Sequence, residues 1–249
     1  MTDSITVFFD STYLKTSEQQ QISEEENIAN VTSVINEAID YKFKLVMIRL
    51  SYISLAKKLI SAKESNVLVG TVIDFPLGDS PCQQKLDEIR SAIDLGADEI
   101  DIVINYSSFI KGNISDIIDE VLQCTSLCLE NGKIAKWIIE SAALTNEEIL
   151  SICTIIKSTV IENFGTQKAN DVFVKSSTGF FKTNDGSSSG ATPEGIEIMV
   201  KYSSPLPVKA SGGIRNREDA NRMINLGVKR LGTSSALKIL KGLESNSDY

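Results

Sequence analysis

Two lysines each close a short β-branched or apolar run. Lys175 ends Asp171-Val-Phe-Val-Lys175, and Lys209 ends Pro207-Val-Lys209. A free lysine amine is neutral only about once in 2,500 molecules at pH 7. A second cation beside it disfavours the charged form, and the neutral amine is then a nucleophile toward carbonyl carbon. Taken singly, each lysine reads more readily as a strand end reaching into solvent; their recurrence at the ends of neighbouring strands favours the chemical reading. Asp101 sits inside the apolar run Glu99-Ile-Asp-Ile-Val-Ile-Asn105. In a strand it shares a face with Glu99, Val103 and Asn105, and if that face lines a barrel, Asp101 and Asn105 project into its interior. A carboxylate there can orient an amine and relay protons, or can be a buried ion-pair partner with a structural role. Asp10 is a weaker case of the same kind, and Glu140 reads either as a mouth residue or as an acceptor that orders a loop.

A third group is rich in glycine and hydroxyls: Ser177-Thr178-Gly179, Ser211-Gly212-Gly213 and Gly232-Thr-Ser-Ser235. Glycines let backbone N–H groups approach an anion, and hydroxyls add donors. The chain contains no histidine, which excludes Ser-His-Asp hydrolysis, Cys-His chemistry and histidine-ligated zinc. Any acid, base or nucleophile must come from Lys, Asp, Glu, Tyr, Cys or water.

Eight short β-rich runs carry these residues: Ile5–Phe9, Leu45–Ile48, Val67–Ile73, Glu99–Asn105, Ala135–Glu140, Asp171–Ser176, Val208–Ala210 and Arg230–Gly232. Helical patterns fall between them at about 23–41, 52–65, 81–95, 113–131, 146–164, 193–202, 217–226 and 235–243. Start signals include Ser80-Pro81, Thr145 before Glu147 and Glu148, and Thr192-Pro193-Glu194. Eightfold strand–helix alternation predicts an α/β fold, a single (β/α)8 barrel spanning 1–249 with a short polar tail at about 244–249. In such a barrel both lysines lie near the C-terminal mouth, and the glycine groups after strands seven and eight fall where phosphate is often bound. Residues 184–190, NDGSSSG, read either as a loop on that face or as a linker without a role.

The formal net charge is −8, which argues against nucleic-acid or anionic-membrane binding. Met1–Asp10 carries an early acid and no long apolar run, and no stretch nears 18 consecutive apolar residues, so the expectation is a cytoplasmic protein. Cys82, Cys124, Cys128 and Cys153 all fall in helical patterns and are expected as reduced thiols without a metal role.

The segments VFVKSSTGF followed by GAT, KASGGIR, GADEIDIVIN and GTSS resemble the deoxyribose-phosphate aldolases. The likeness extends from Asp10-Ser-Thr-Tyr-Leu-Lys15 through Thr71–Gly78 to the end of the chain. The resemblance implies a class I aldolase that reversibly cleaves 2-deoxy-D-ribose 5-phosphate into D-glyceraldehyde 3-phosphate and acetaldehyde, with no cofactor and no metal. It implies Lys175 as the Schiff-base lysine, Lys209 as the lysine that tunes it and Asp101 as the carboxylate of a proton relay. Asp10 and Thr12 match first-strand positions near that site and are expected to help bind the substrate. Thr178, Gly179, Gly212, Gly213, Gly232, Ser234 and Ser235 are the expected substrate and phosphate contacts, and Tyr249 matches a tail tyrosine that assists proton transfer. A homodimer is compatible with it. Two departures stand out: Val46-Met-Ile-Arg-Leu50 has no proline after the second strand, and Phe180 stands where some members carry lysine. A class I aldolase or transaldolase for another phosphorylated sugar, and a non-catalytic phosphosugar-binding barrel, are the alternative readings.

Overall fold

The computed structural model describes residues 5–183 and 190–244. Tyr249, most of the expected polar tail and residues 184–189 of the expected loop lie outside them. Eight parallel strands close into a barrel in chain order. They are β1 (Phe9–Tyr13), β2 (Leu45–Ile48), β3 (Leu68–Ile73), β4 (Glu99–Val103), β5 (Ile134–Ile138), β6 (Val172–Lys175), β7 (Val208–Ser211) and β8 (Arg230–Thr233). The helices are α1 (Ser17–Gln20), α2 (Glu24–Asp40), α3 (Ile53–Ala62), α4 (Cys82–Asp94), α5 (Tyr106–Ile110), α6 (Ile114–Glu130), α7 (Asn146–Phe164), α8 (Pro193–Ser203), α9 (Arg217–Asn225) and α10 (Ala236–Leu240).

Local chemistry accounts for the helix starts. Ser23 with Glu26, and Thr145 with Glu148, form reciprocal capping boxes, while Thr192 accepts from the Gly195 N–H with Pro193 in the first turn. The outward strand faces and the inward helix faces bury one continuous apolar layer that includes Trp137, Ile100, Ile102, Val174 and Leu231. The four cysteines lie in α4, α6 and α7, as expected, and are free thiols.

Two sequence expectations need correction. The first strand is not Ile5–Phe9: Thr6–Phe8 form a 3-10 turn and the strand begins at Phe9. Ile5 and Phe9 are buried whereas Val7 is 58% exposed, so the apolar run marks a turn anchored in the apolar core rather than a strand. The strand itself is polar because it faces a charged lumen, and Asp10 lies within it rather than at its end. Asn105 does not project into the barrel either. β4 ends at Val103, and the Asn105 side chain accepts from the Ser108 N–H to cap α5.

The lumen is divided by chemistry. On the β2–β3 side it is apolar, with Leu45, Met47 and Val72 packed with Leu14, Phe75 and Phe180. From β4 round to β1 it carries charges. Beside the charged sector, a fully buried Lys85 on α4 donates to the Gly78 and Val103 carbonyls and pairs with Glu120 of α6 at 2.9 Å. This tie holds the chain beyond β3 to the end of β4, two residues from Asp101.

Candidate active site

Strand register sets the geometry. Lys175 is level with Lys209, Lys209 with Arg230, and Asp101 with Lys136. Asp101 accepts from Lys175 Nζ at 2.9 Å and from Lys209 Nζ at 2.8 Å through Oδ2, and from Lys136 Nζ at 2.9 Å through Oδ1. Asp10 Oδ2 pairs with Lys209 at 2.6 Å and with Lys136 at 3.5 Å, while its Oδ1 lies 3.3 Å from Arg230 Nε. Glu99 pairs with both Lys136 and Arg230. All seven side chains are buried.

The cluster therefore holds four basic groups, Lys136, Lys175, Lys209 and Arg230, against three carboxylates, Asp10, Glu99 and Asp101. Buried ions are tolerated only when paired, so the balance favours one neutral base. Lys175 is the base most readily discharged. Burial pulls its amine down to about 8, against the attraction of Asp101 and with help from Lys209. Desolvation, and not chiefly the neighbouring lysine as the sequence leads one to expect, is the larger cause. Burial would raise the Asp101 carboxyl, yet Lys136, Lys175 and Lys209 together hold it well below the ordinary range. Asp10 is held at about 2, its own burial outweighed by Arg230, Lys209 and Lys136. Lys136 loses less to burial than it gains from Asp101, Glu99 and Asp10, so its pKa is raised and it stays charged.

The arrangement thus provides one amine that is neutral in about a tenth of molecules at pH 7, roughly two hundred times the fraction of a free lysine, touching a carboxylate that remains ionised. Such an amine can add to an aldehyde, and the carboxylate can stabilise positive charge on the resulting nitrogen.

Glu140, left open by the sequence, is buried and orders a loop. It accepts from the Ser177 hydroxyl at 2.6 Å and from the Thr178 hydroxyl and N–H. Burial raises its pKa against these hydrogen bonds. The Thr178 hydroxyl is thereby committed to Glu140, and it also accepts from the Phe180 N–H. Glu140 has φ of 51°, a conformation unusual for a residue with a side chain. Thr12 is buried and its hydroxyl donates to the Asp10 carbonyl.

The expected phosphate positions gather at one part of the mouth. Gly212 has φ of +81°, and a Cβ there would stand 2.8 Å from Gly190 Cα and 3.6 Å from Gly179 Cα. Only bare backbone fits, which leaves the β6 and β7 loops close enough to share a ligand. Gly213 and Ser234 are exposed, and Ser235 is buried before α10 with its N–H donating to Thr233. Gly232 lies within β8, level with Asp10 and Ser211.

Lys136, Glu99 and Arg230 were not identified as site residues from sequence. A signal existed for two of them: Lys136 interrupts the run Ile134-Ala-Lys-Trp-Ile138, and Glu99 shares the Asp101 face.

Comparison with known proteins gives a consistent result. The profile of the DeoC/LacD family of aldolases matches residues 6–242. A deoxyribose-phosphate aldolase of Staphylococcus saprophyticus is 37% identical over 238 residues, 95% of this chain and 99% of the relative. One from Thermococcus gammatolerans is 37% identical over 214 residues, covering 86% and 88%. Among solved structures, a tetrameric deoxyribose phosphate aldolase from Aeropyrum pernix superposes with a TM-score of 0.75 at 26% identity, covering 95% of this chain and 89% of that one.

Proposed function

The chain belongs to the DeoC/LacD family of aldolases, and from that premise we infer that it reversibly cleaves 2-deoxy-D-ribose 5-phosphate to D-glyceraldehyde 3-phosphate and acetaldehyde through a lysine Schiff base. The observation that carries the assignment to particular residues is the Lys175 amine, lowered to about 8 and 2.9 Å from an ionised Asp101.

Neutral Lys175 Nζ adds to the substrate aldehyde carbon, and the carbinolamine loses water to give an iminium ion. The iminium withdraws electrons as the bond between the second and third sugar carbons breaks, while the hydroxyl on the third carbon loses its proton. Asp101 already touches the nitrogen that becomes positive, so its charge is in place before the reaction and requires no reorganisation. The iminium carries the same single positive charge as the protonated amine, so the cluster holds no more charge during the reaction than in the resting enzyme below pH 8. Asp101 is too strongly held as a carboxylate to be a good base by itself. Proton movement is therefore assigned to Lys209 and a water molecule acting beside it. Lys136, Glu99, Asp10 and Arg230 position Asp101 and Lys209; Asp10, expected as a substrate contact, is read instead as a positioning group because its carboxylate is taken up by Lys209, Lys136 and Arg230. The backbone at Gly179, Gly212 and Gly213, with Ser234 and Ser235, is the proposed phosphate cradle, which orients the scissile bond.

We further propose that the enzyme works in the cytoplasm as a homodimer. The reduced cysteines and the acidic charge support the first part; among the described residues no helix is long and apolar enough to cross a membrane.

The test is borohydride trapping in the presence of acetaldehyde, followed by peptide mapping of the wild type and Lys175→Ala. An ethyl adduct on the Lys175 peptide, absent from the variant, is expected. A folded protein that forms no adduct, or one that carries the adduct on another lysine, refutes the assignment.

A further inference from the structure

Arg49 lies just beyond β2 at the barrel mouth, where its guanidinium spans two neighbouring loops. Nε donates to the Leu14 carbonyl at 2.8 Å, beyond β1, and Nη1 to the Phe75 carbonyl at 3.3 Å, beyond β3. The guanidinium carbon stands 5.0 Å from the centre of the Phe75 ring. That ring meets Phe180 edge to face at 5.0 Å, and Phe180 follows Gly179 directly. Leu14, Phe75 and Phe180 belong to the apolar cluster that fills the β2–β3 side of the lumen.

Every partner of this guanidinium is neutral. Among the described residues no carboxylate pairs with Arg49, and Nη2 meets no acceptor. This contrasts with the cations of the lumen. The chain has 33 acidic and 25 basic residues, and each lumen cation is matched to at least one carboxylate. Burial lowers the Arg49 pKa, though not enough to discharge a guanidinium at physiological pH. A half-buried, permanently charged group without a counterion is costly unless an anion arrives to meet it. Two carbonyls and a ring hold the planar fork in place, so a rigid pair of donors is ready for an oxyanion.

We propose that Arg49 is a specificity residue for the phosphate monoester of the substrate, supplying from the β2 side a side-chain charge that complements the backbone cradle of the β6–β8 loops. The inference rests on the aldolase reading for the identity of the phosphate ester. The role of Arg49 as an anion contact is open to test apart from turnover.

The experiment compares the wild type, Arg49→Gln and Arg49→Lys by two readouts. The first is the ratio of kcat/KM for 2-deoxyribose 5-phosphate to that for unphosphorylated 2-deoxyribose. The second is calorimetric binding of inorganic phosphate, which needs no turnover. Arg49→Gln is expected to lower the preference ratio and the phosphate affinity by about tenfold or more, the scale of one charge-assisted hydrogen bond. Arg49→Lys, which keeps the charge without the fork, is expected to retain part of both. Unchanged phosphate affinity in a stably folded Arg49→Gln protein overturns the proposal. So does an equal loss toward both sugars, which would make Arg49 only a clamp between loops. If the wild type turns over neither sugar yet loses phosphate binding on Arg49→Gln, the inference stands and the aldolase reading falls.

Discussion

Replacing Lys175 by Met is expected to abolish turnover and to make the protein more stable at pH 7. The four bases of the lumen exceed its three carboxylates, and burial together with the excess positive charge depresses the Lys175 amine. A drop from 10.5 to about 8 corresponds to about 3 kcal/mol against the charged form. Because the folded value lies below the unfolded one, the unfolded state binds more protons between pH 8 and 10.5. The penalty is therefore complete below pH 8 and is relieved as pH rises toward 10.5. Met is close to Lys in length and carries no charge, and its removal of a base leaves Lys136, Lys209 and Arg230 against Asp10, Glu99 and Asp101. The expected gain at pH 7 is up to about 3 kcal/mol, or roughly 5–10 °C in Tm for a chain of this size. Urea unfolding of both proteins at pH 7, 9 and 10.5 provides the measurement. The advantage of the variant must shrink as pH rises. A variant less stable than the wild type by more than about 1 kcal/mol at pH 7, with no pH dependence of the difference, would refute the charge-balance argument.

The same amine predicts that kcat/KM rises about tenfold per pH unit below pH 8 and levels above it; an inflection near 10 in a pH–rate profile would show that Lys175 is not depressed. Asp101→Asn leaves four bases against two carboxylates and is expected to cost about 3–5 kcal/mol in urea unfolding, besides lowering kcat. Glu140→Gln weakens the acceptor that holds Ser177 and Thr178, and should raise KM for the phosphorylated sugar more than it lowers kcat in steady-state assays. Gly212→Ala combines a φ of +81° with a 2.8 Å approach to Gly190 Cα, and is expected to weaken phosphate binding measured by calorimetry.

Much of the scaffold was legible because its signals are local. Caps such as Thr145 with Glu148 act within one turn, and buried strands such as Leu45–Ile48 are continuous apolar runs whose ends match the structure. The first strand failed by the same logic. Its residues face a charged lumen, so they are polar, and the apolar run before them belongs to a turn. Lys175, Lys209 and Asp101 could be singled out because a charge inside an apolar run is conspicuous wherever it occurs.

Which partner each charge meets was decided only by closure of the barrel. Lys209 reaches Asp101 across 108 residues of chain, and Arg230 reaches Glu99 across 131. No periodicity spans such distances, so the count of four bases against three carboxylates, and the depressed Lys175 amine, exist only in the folded molecule. The role of Glu140 was settled in the same way, by hydroxyls 37 and 38 residues away. Sequence by itself determined that lysines and a carboxylate would line a barrel mouth, because periodicity and capping are short-range. Tertiary structure decided which lysine has its pKa lowered, because desolvation and Coulomb interaction depend on distance through space rather than along the chain.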